Sequence, residues 1–457
     1  MKSRSIILTV FLLITPVSIS LTPKFVLTLK GSLARADDDD HFRRSFPQNA
    51  TFTTLITLPR AVEGLTGDGV NNLYIGGSGA APCPIWQINL HNPSKTIVGN
   101  VQSAVFPTGT TVCGFSGIAF DAAGNLYQAD GNAKSIYKIS NPNSVNPPNA
   151  TVFATGVPGT NGLAFDRNGN LWTGDGITGQ GRVWKITGPG ANCTPPNPTK
   201  CEEVFRIQPM ANEVNLDTNG VGGVGRDIRD LPPGTITVTP TSRNAANTSG
   251  SQPLVANGLA FNINGDLFNI DTARGALWKI EFDSKGNLKS STGCDTTFTA
   301  NTLCLSNIFV AHPILEGGDG IALDREGNIW VDANERNAVA VVTQDKKVIE
   351  IFRNPVNLPL PPPPVPFQVG LRNAGDQSVG NNHILEFPTS PFLSGKVFCT
   401  SMSDGNRRDN SPNTGGEIVP NSAILGKISC MTDEHGLPLE LKIPGLPLPV
   451  TQNPGHH

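Results

Sequence analysis

Apolar and polar residues alternate with a period of two over short stretches of this chain, and the stretches come in sets. Gly117-Ile118-Ala119-Phe120-Asp121 leads to Gly124-Asn125-Leu126-Tyr127, then Ala129-Asp130, and ends in Ile136-Tyr137-Lys138-Ile139. The same order recurs from Gly162 to Ile186, from Gly258 to Ile280 and from Gly320 to Val342. Each unit predicts a glycine-led strand, a tight turn at Asn-Gly or Glu-Gly, a second strand ending near an acidic residue, and a third strand closing on apolar residues. No segment longer than about twelve residues keeps a 3.6-residue period, so helices are not expected.

Two weaker copies flank these four. Glu63-Gly64-Leu65 precedes Asn71-Asn72-Leu73-Tyr74-Ile75 and Ile85-Trp86-Gln87-Ile88. At the far end Ile384-Leu385-Glu386-Phe387 precedes Gly395-Lys396-Val397-Phe398, and Ile424 to Ile428 closes the unit. A unit of three or four short antiparallel strands cannot bury both of its faces alone, whereas copies stacked around an axis can. The predicted fold is therefore all-β, a six-bladed β-propeller with four-stranded antiparallel blades. Five of the opening glycines stand at 64, 117, 162, 258 and 320, and the gap from 162 to 258 is twice an ordinary blade. It leaves room for a seventh blade or for an insertion. Residues 187–253 are rich in Gly, Pro, Asn and Thr and hold no strand–turn–strand unit, so they are read as a long insertion between blades three and four. Its cluster Gly222-Gly223-Val224-Gly225 is not a phosphate loop, since no Gly-Lys-Ser/Thr follows. The run Pro361 to Pro364 reads as an extended spacer before blade six.

Composition agrees with a turn-rich sheet protein, as Gly and Pro together make up 87 of 457 residues. Residues 1–36 combine a basic start, an apolar run from Ile6 to Leu21 and Ala34-Arg35-Ala36, the form of an export signal and its cleavage site. A retained anchor is the alternative, but Pro16, Ser18 and Ser20 interrupt the run. Cleavage would remove five cations and take the formal charge from −3 to −8, with acidic residues 37–48 leading an exported chain. The propeller is assigned to residues 49–445, and 446–457 to a disordered tail. With no basic block longer than Arg43-Arg44 or Arg407-Arg408, a nucleic-acid partner is not expected. Nor is a membrane partner after cleavage, and the chain is expected to be a monomer. An even count of eight cysteines in an exported chain allows four disulfides, which we expect as Cys83–Cys113, Cys193–Cys201, Cys294–Cys304 and Cys399–Cys430. No pair has the spacing of a zinc cluster.

Candidate chemistry lies just before the opening glycines, at Glu63, Ser116, Asn161, Asn257 and Asp319. If the glycine-led strands are innermost, rotation about the pseudo-sixfold axis gathers these positions at one end of the channel. Two carboxylates and two amides make an all-oxygen set of net charge −2, suited to a hard divalent cation. Calcium fits best, with Zn2+, Mg2+ or Mn2+ as other occupants. Asn and Asp before Gly are also ordinary turn residues. That explanation covers any one position but not Glu63, because glutamate has no special turn chemistry. Asp175, Asp271 and Asp332 end the second strands and are read as turn caps. Of the seven histidines, His312 and His383 fall near channel-end loops, and His312 with Ser116 is a candidate substrate contact.

The motifs Glu63-Gly64, Asn161-Gly-Leu-Ala-Phe165, Asn257-Gly-Leu-Ala-Phe261 and Asp319-Gly-Ile-Ala-Leu-Asp-x-Glu-Gly-Asn-Ile-Trp330 resemble the senescence marker protein 30, gluconolactonase and luciferin-regenerating enzyme-like family. The resemblance spans roughly residues 60 to 345. It implies a six-bladed propeller with one divalent metal in the channel, held by Glu63, Asn161, Asn257 and Asp319. It also implies hydrolysis of lactones or, in some relatives, organophosphate esters; for such a step we read Asp319 or a nearby carboxylate as the catalytic general base. The chain departs from the family at Leu65, where a proline usually follows Glu-Gly, and at Gly159, where a substrate-binding arginine would fall. The expected function is a metal-dependent lactonase or esterase acting on a small molecule. The alternative is a non-catalytic exported propeller that binds a small ligand, glycan or peptide around a structural metal. A third reading, a lyase, would want a histidine base beside the metal, and His312 is a weak candidate for that.

Overall fold

The computed structural model describes residues 46–47, 51–144, 149–176, 178–208, 255–272, 275–296, 298–315, 317–334, 338–353, 385, 388–394, 396–403, 426–432, 439 and 441. The expectations for residues 1–36, 37–45, 222–225, 361–364, His383 and 446–457 lie outside them. Within the unit Pro47–His457 the chain forms six antiparallel blades in a ring, a β-propeller. Among the described residues no helix is long and apolar enough to cross a membrane.

In blade two the innermost strand Phe115–Phe120 pairs with Leu126–Asp130, then Ser135–Ile139 and Thr151–Thr155. Blade three is Thr160–Phe165, Leu171–Asp175, Arg182–Ile186 and Cys201–Arg206. Blade four is Ala256–Phe261, Leu267–Asp271, Ala276–Ile280 and Ile308–Ala311, and blade five is Gly318–Leu323, Ile329–Ala333, Ala338–Val342 and Val348–Arg353. Blade one begins with Leu65–Gly67 and Asn72–Gly76 and ends with Cys83–Asn89 and Lys95–Val101. The stretch 187–253 thus opens by completing blade three. Its residues Ala191–Asn192 also add a short parallel strand to blade two.

Blade six differs from its expected form. Its innermost strand is Pro388–Ser394, four residues later than the Ile384 to Phe387 run, followed by Val397–Met402 and Lys427–Thr432. The outermost strand is Thr51–Thr57 from the other end of the chain, paired antiparallel from Thr51 opposite Thr432 to Thr57 opposite Lys427, with a register shift between Thr54 and Ile56. This clasp closes the ring, with the Thr51 and Thr53 hydroxyls meeting Thr432 Oγ1 at 3.1 and 2.9 Å.

The repeat is legible in the packing. In blades one to five the turn between first and second strands is organised by one Asp or Asn side chain. Asp166 accepts the Asn168 and Asn170 N–H groups at 2.9 Å, the Asn170 amide at 2.8 Å and the Trp172 ring N–H at 3.0 Å. Asp121 does the same for Ala123, Asn125 and the Tyr127 hydroxyl, and Asp324 for Glu326, Asn328 and Trp330. The aromatic of the second strand lies across the next blade. Tyr74 packs edge-on against Phe120, Tyr127 against Phe165 and Trp172 against Phe261, at centroid distances of 4.8, 5.0 and 5.7 Å. Apolar clusters accordingly straddle neighbouring blades, as where Phe268 and Ile270 meet Ile321 and Ile329. Burying such side chains stabilises each interface by about 1.5–3 kcal/mol apiece.

All four cysteine pairs are joined as expected: Cys83–Cys113, Cys193–Cys201, Cys294–Cys304 and Cys399–Cys430. Four disulfides belong to an oxidising environment outside the reducing cytosol.

Candidate functional site

The innermost strand of a blade would carry its side chains alternately toward one neighbour and the other. In blades two to five that alternation is broken at one place by a bulge. Pairing jumps from Phe115 to Ile118, from Thr160 to Leu163, from Ala256 to Leu259 and from Gly318 to Ile321. The bulged dipeptides are Ser116-Gly117, Asn161-Gly162, Asn257-Gly258 and Asp319-Gly320. A bulge re-aims a side chain, which is why such features gather beside functional sites.

Glycine follows because the innermost strands nearly touch. A Cβ on Gly64 would stand 2.2 Å from the Ser116 carbonyl oxygen, and one on Gly117 2.3 Å from that of Asn161. The series continues from Gly162 to Asn257 at 2.6 Å, Gly258 to Asp319 at 2.5 Å and Gly320 to Thr389 at 2.4 Å. Thr389 Oγ1 then donates to the Glu63 carbonyl at 2.8 Å, and the circle is complete. Glu63, Ser116, Asn161, Asn257, Asp319 and Thr389 thus form one ring, each backbone against the next. Five of these positions follow from the dipeptide repeat. The sixth, Thr389, was missed because Ser390-Pro391 stands where the other blades have glycine. The hydroxyl run Thr400-Ser401-Met402-Ser403 was the available signal, since Ser401 and Ser403 also donate to the Glu63 and Val62 carbonyls.

Glu63, Asn257 and Asp319 are buried at 7, 5 and 4 % exposure, and Asn161 is half-buried. Asn257 Nδ2 donates to Thr272 Oγ1 at 3.1 Å, and Asp319 Oδ2 accepts from Asn334 Nδ2 at 2.9 Å. Below the ring, Gln128 and Asn269 hold the bulges from the second strand. The Gln128 amide donates to the Ser116 and Gly117 carbonyls at 2.9 and 3.1 Å, and Asn269 to that of Gly258 at 3.1 Å.

The ring carries two carboxylates and two amides at four of six positions. Among the described residues no three His, Cys, Asp or Glu side chains cluster as a metal site. The donor set is all oxygen and mixed in charge, which fits a hard cation such as calcium and not a soft or zinc-like one.

Of the two candidate substrate contacts, Ser116 stands in the ring and His312 in the turn before blade five. Ser116 Oγ donates to the Thr160 carbonyl at 3.0 Å, so its proton ties blade two to blade three. His312 Nδ1 accepts the Ile314 N–H at 3.1 Å, capping the turn that leads into blade five. At Gly159 a Cβ would meet Asp175 Oδ1 at 2.1 Å, so this position has no room for a side chain.

Asp332 corrects the expected equivalence of the strand-ending acids. Asp130, Asp175 and Asp271 pair with Phe115, Thr160 and Ala256, but the residue paired with Gly318 is Ala333. Asp332 therefore sits one residue early, on the opposite face of the strand. Asp175 caps its turn, taking the Thr178 N–H at 2.9 Å and Arg182 Nε at 2.9 Å. Asp332 is fully buried and takes the Thr400 hydroxyl at 2.5 Å. Burial pushes its carboxyl well above the ordinary range against that hydrogen bond, and the charge of Asp319 raises it further.

Residues 208–361 match the family model of the SMP-30/Gluconolactonase/LRE-like region. The match takes in blades four and five, with Asn257 and Asp319, so the chain carries an SMP-30/gluconolactonase/LRE-like region. No curated protein matches the chain. Regucalcin from Agrobacterium tumefaciens, a calcium-binding protein, is similar at 14 % identity and TM-score 0.44, over 88 % of this chain and 98 % of that one. A gluconolactonase from Xanthomonas campestris is similar at 12 % identity and TM-score 0.42, over 85 % and 91 %. Virginiamycin B lyase from Staphylococcus aureus is similar at 13 % identity and TM-score 0.38, over 77 % and 81 %. Likenesses this distant do not choose among activities.

Proposed function

We propose that this protein, with its SMP-30/gluconolactonase/LRE-like region, is a divalent-metal-dependent hydrolase that opens a lactone or related ester at the channel mouth. The observation that carries the reading is the ring itself. The reading is supported by bulges at Asn161, Asn257 and Asp319 and by the series of inner-strand contacts that links them to Glu63 across more than 250 residues of sequence. Turn chemistry alone does not require a bulge in four blades or a buried glutamate in a fifth.

Glu63, Asn161, Asn257 and Asp319 would hold the cation, and calcium suits their hard oxygens. Bound there, it would supply Lewis acidity to a substrate carbonyl. Asp319 is the residue we assign to proton transfer. Water oxygen attacks the carbonyl carbon, the ring C–O bond breaks, and Asp319 passes the water's proton to the departing alkoxide. A carboxylate that also holds a cation is a weaker base, so Asp319 acts best on a water whose own acidity is raised.

A second reading has its own support. The Ser116 hydroxyl and the His312 ring nitrogen Nδ1 are engaged in the scaffold and Gly159 has no room for a side chain, so among the described residues these three positions give little support to substrate orientation. A ligand-binding propeller with a structural cation has the same ring. Hydrolysis of a panel of aldono- and aliphatic lactones, with and without calcium and beside Asp319→Asn, separates the two. Calcium-dependent turnover lost in the variant supports the hydrolase. Calcium binding with no turnover across the panel supports the binding module.

A further inference from the structure

In blades three, four and five the ring side chain stands against the residue that follows the second strand of its own blade. In blade three that residue is Gly176, and a Cβ there would stand 2.2 Å from Asn161 Nδ2. In blade four it is Thr272, whose hydroxyl accepts from Asn257 Nδ2. Both asparagines therefore turn their nitrogen toward the backing residue and their oxygen away from it. In blade five the polarity is exchanged. The nitrogen belongs to the backing residue, Asn334, and the oxygen to the ring residue, Asp319.

This exchange coincides with the one-residue slip of Asp332. The sequences Asp175-Gly176 and Asp271-Thr272 become Ala333-Asn334, so blade five gives up the turn-capping acid and gains an amide behind the ring. Asn334 is 4 % exposed, and its Oδ1 has no hydrogen-bond partner among the described residues. A buried acceptor without a partner costs about 1–3 kcal/mol, so its retention calls for a reason.

We propose that Asn334 is the positioning residue of this site. Its Nδ2 fixes the rotation of the Asp319 carboxylate by holding Oδ2, and its Oδ1 accepts a hydrogen bond from a water or substrate hydroxyl at the ring. An unheld carboxylate turns broadly about its last torsion, so the donor pre-organises one oxygen for the cation. The inference rests on the cation reading above.

The test uses the full chain and calcium alone as the probe. Affinity is measured by titration calorimetry, and melting with and without chelator runs alongside. Asn334→Leu and Asn334→Gly remove both donor and acceptor, while Asn334→Thr restores the hydroxyl that blade four uses. Orienting partners of this kind are worth about 10–100-fold in metal affinity. Leu and Gly are expected to lose that much with the chelated melting temperature unchanged, and Thr to recover most of it. If Leu does not fold, Gly decides. Wild-type affinity in the variants overturns the inference alone, as does a loss that simply follows a lowered chelated melting temperature. A wild-type chain that binds no calcium overturns it together with the cation reading.

Discussion

Gly258→Ala tests the ring at the contact between blades four and five. An added Cβ would stand 2.5 Å from the Asp319 carbonyl oxygen and 2.7 Å from the Ile321 nitrogen. Ordinary contact begins near 3.4 Å, so the two strands must separate by about 0.9 Å. The obstructing atoms are backbone, in or next to a bulge whose flanking residues Gly318 and Ile321 are paired, and cannot swing aside as a side chain would. Overpacking of this kind costs about 1–3 kcal/mol. The separation also moves the ring donors Asn257 and Asp319. Thermal melting and calcium titration of the variant should therefore both shift, with a lower melting temperature and a weaker affinity. Gly188→Ala is the control, because the nearest atom to its Cβ is Lys200 Cδ at 4.0 Å. If Gly258→Ala behaves like Gly188→Ala in both assays, the close-packed ring is refuted as the basis of the site.

Replacing both cysteines of Cys83–Cys113 by serine should cost about 3.6 kcal/mol by the loop-entropy relation, against about 2.5 kcal/mol for Cys193–Cys201; the sequence separations are 30 and 8, and denaturant unfolding of the two double variants reads the order. Asp332→Asn should alter how stability depends on pH. The folded carboxyl holds its proton above the ordinary value of 3.8 while the unfolded chain releases it, so wild-type stability falls as pH rises from there toward the folded pKa. The variant lacks that loss. Melting in chelator should show it gaining on wild type by up to about 1.4 kcal/mol per pH unit in that window, and parallel curves would contradict the buried neutral acid. Asp166→Ala strands four donors, among them the Trp172 ring nitrogen. It should lower unfolding free energy by about 2–4 kcal/mol, whereas Asp283→Ala, at an exposed turn with the same Asn i+4 contact at 2.9 Å, should cost far less.

Residues that do the same job in several blades could be read from the sequence. Asp121, Asp166 and Asp324 tie their turns in one way, and Tyr127 and Trp172 pack on the next blade in one way, so periodicity exposed them. The ring dipeptides were legible for the same reason. Residues that act once were not. Thr51–Thr57 has an irregular pattern of exposure, because it is an outermost strand, and its partner lies at the far end of the chain. Thr389 lost its signal when Ser390 and Pro391 replaced glycine. Asp332 misled because strand-ending acids repeat in sequence, whereas which face they occupy depends on a register that shifts by one at Ala333.

The same distinction explains how the site departs from the symmetry that builds it. Identical blades would supply six identical donors, whereas here the blades break the repeat and only asparagine occurs twice. The breaks fall in two layers. The ring layer varies the donor: glutamate, serine, two asparagines, aspartate and threonine. The layer behind it varies what each donor is held by: Gly176 by absence, Thr272 by accepting, Asn334 by donating. Only the first layer sits beside a repeated glycine, at five of its six positions, and so announces itself in sequence. The second is free of that constraint, and its residues make sense only once the fold has set them against the ring. Tuning of the site, in affinity and in what it accepts, should therefore reside more in Thr272 and Asn334 than in the dipeptides. Exchanging those two residues between blades while leaving the ring intact should change the calcium affinity without unfolding the propeller.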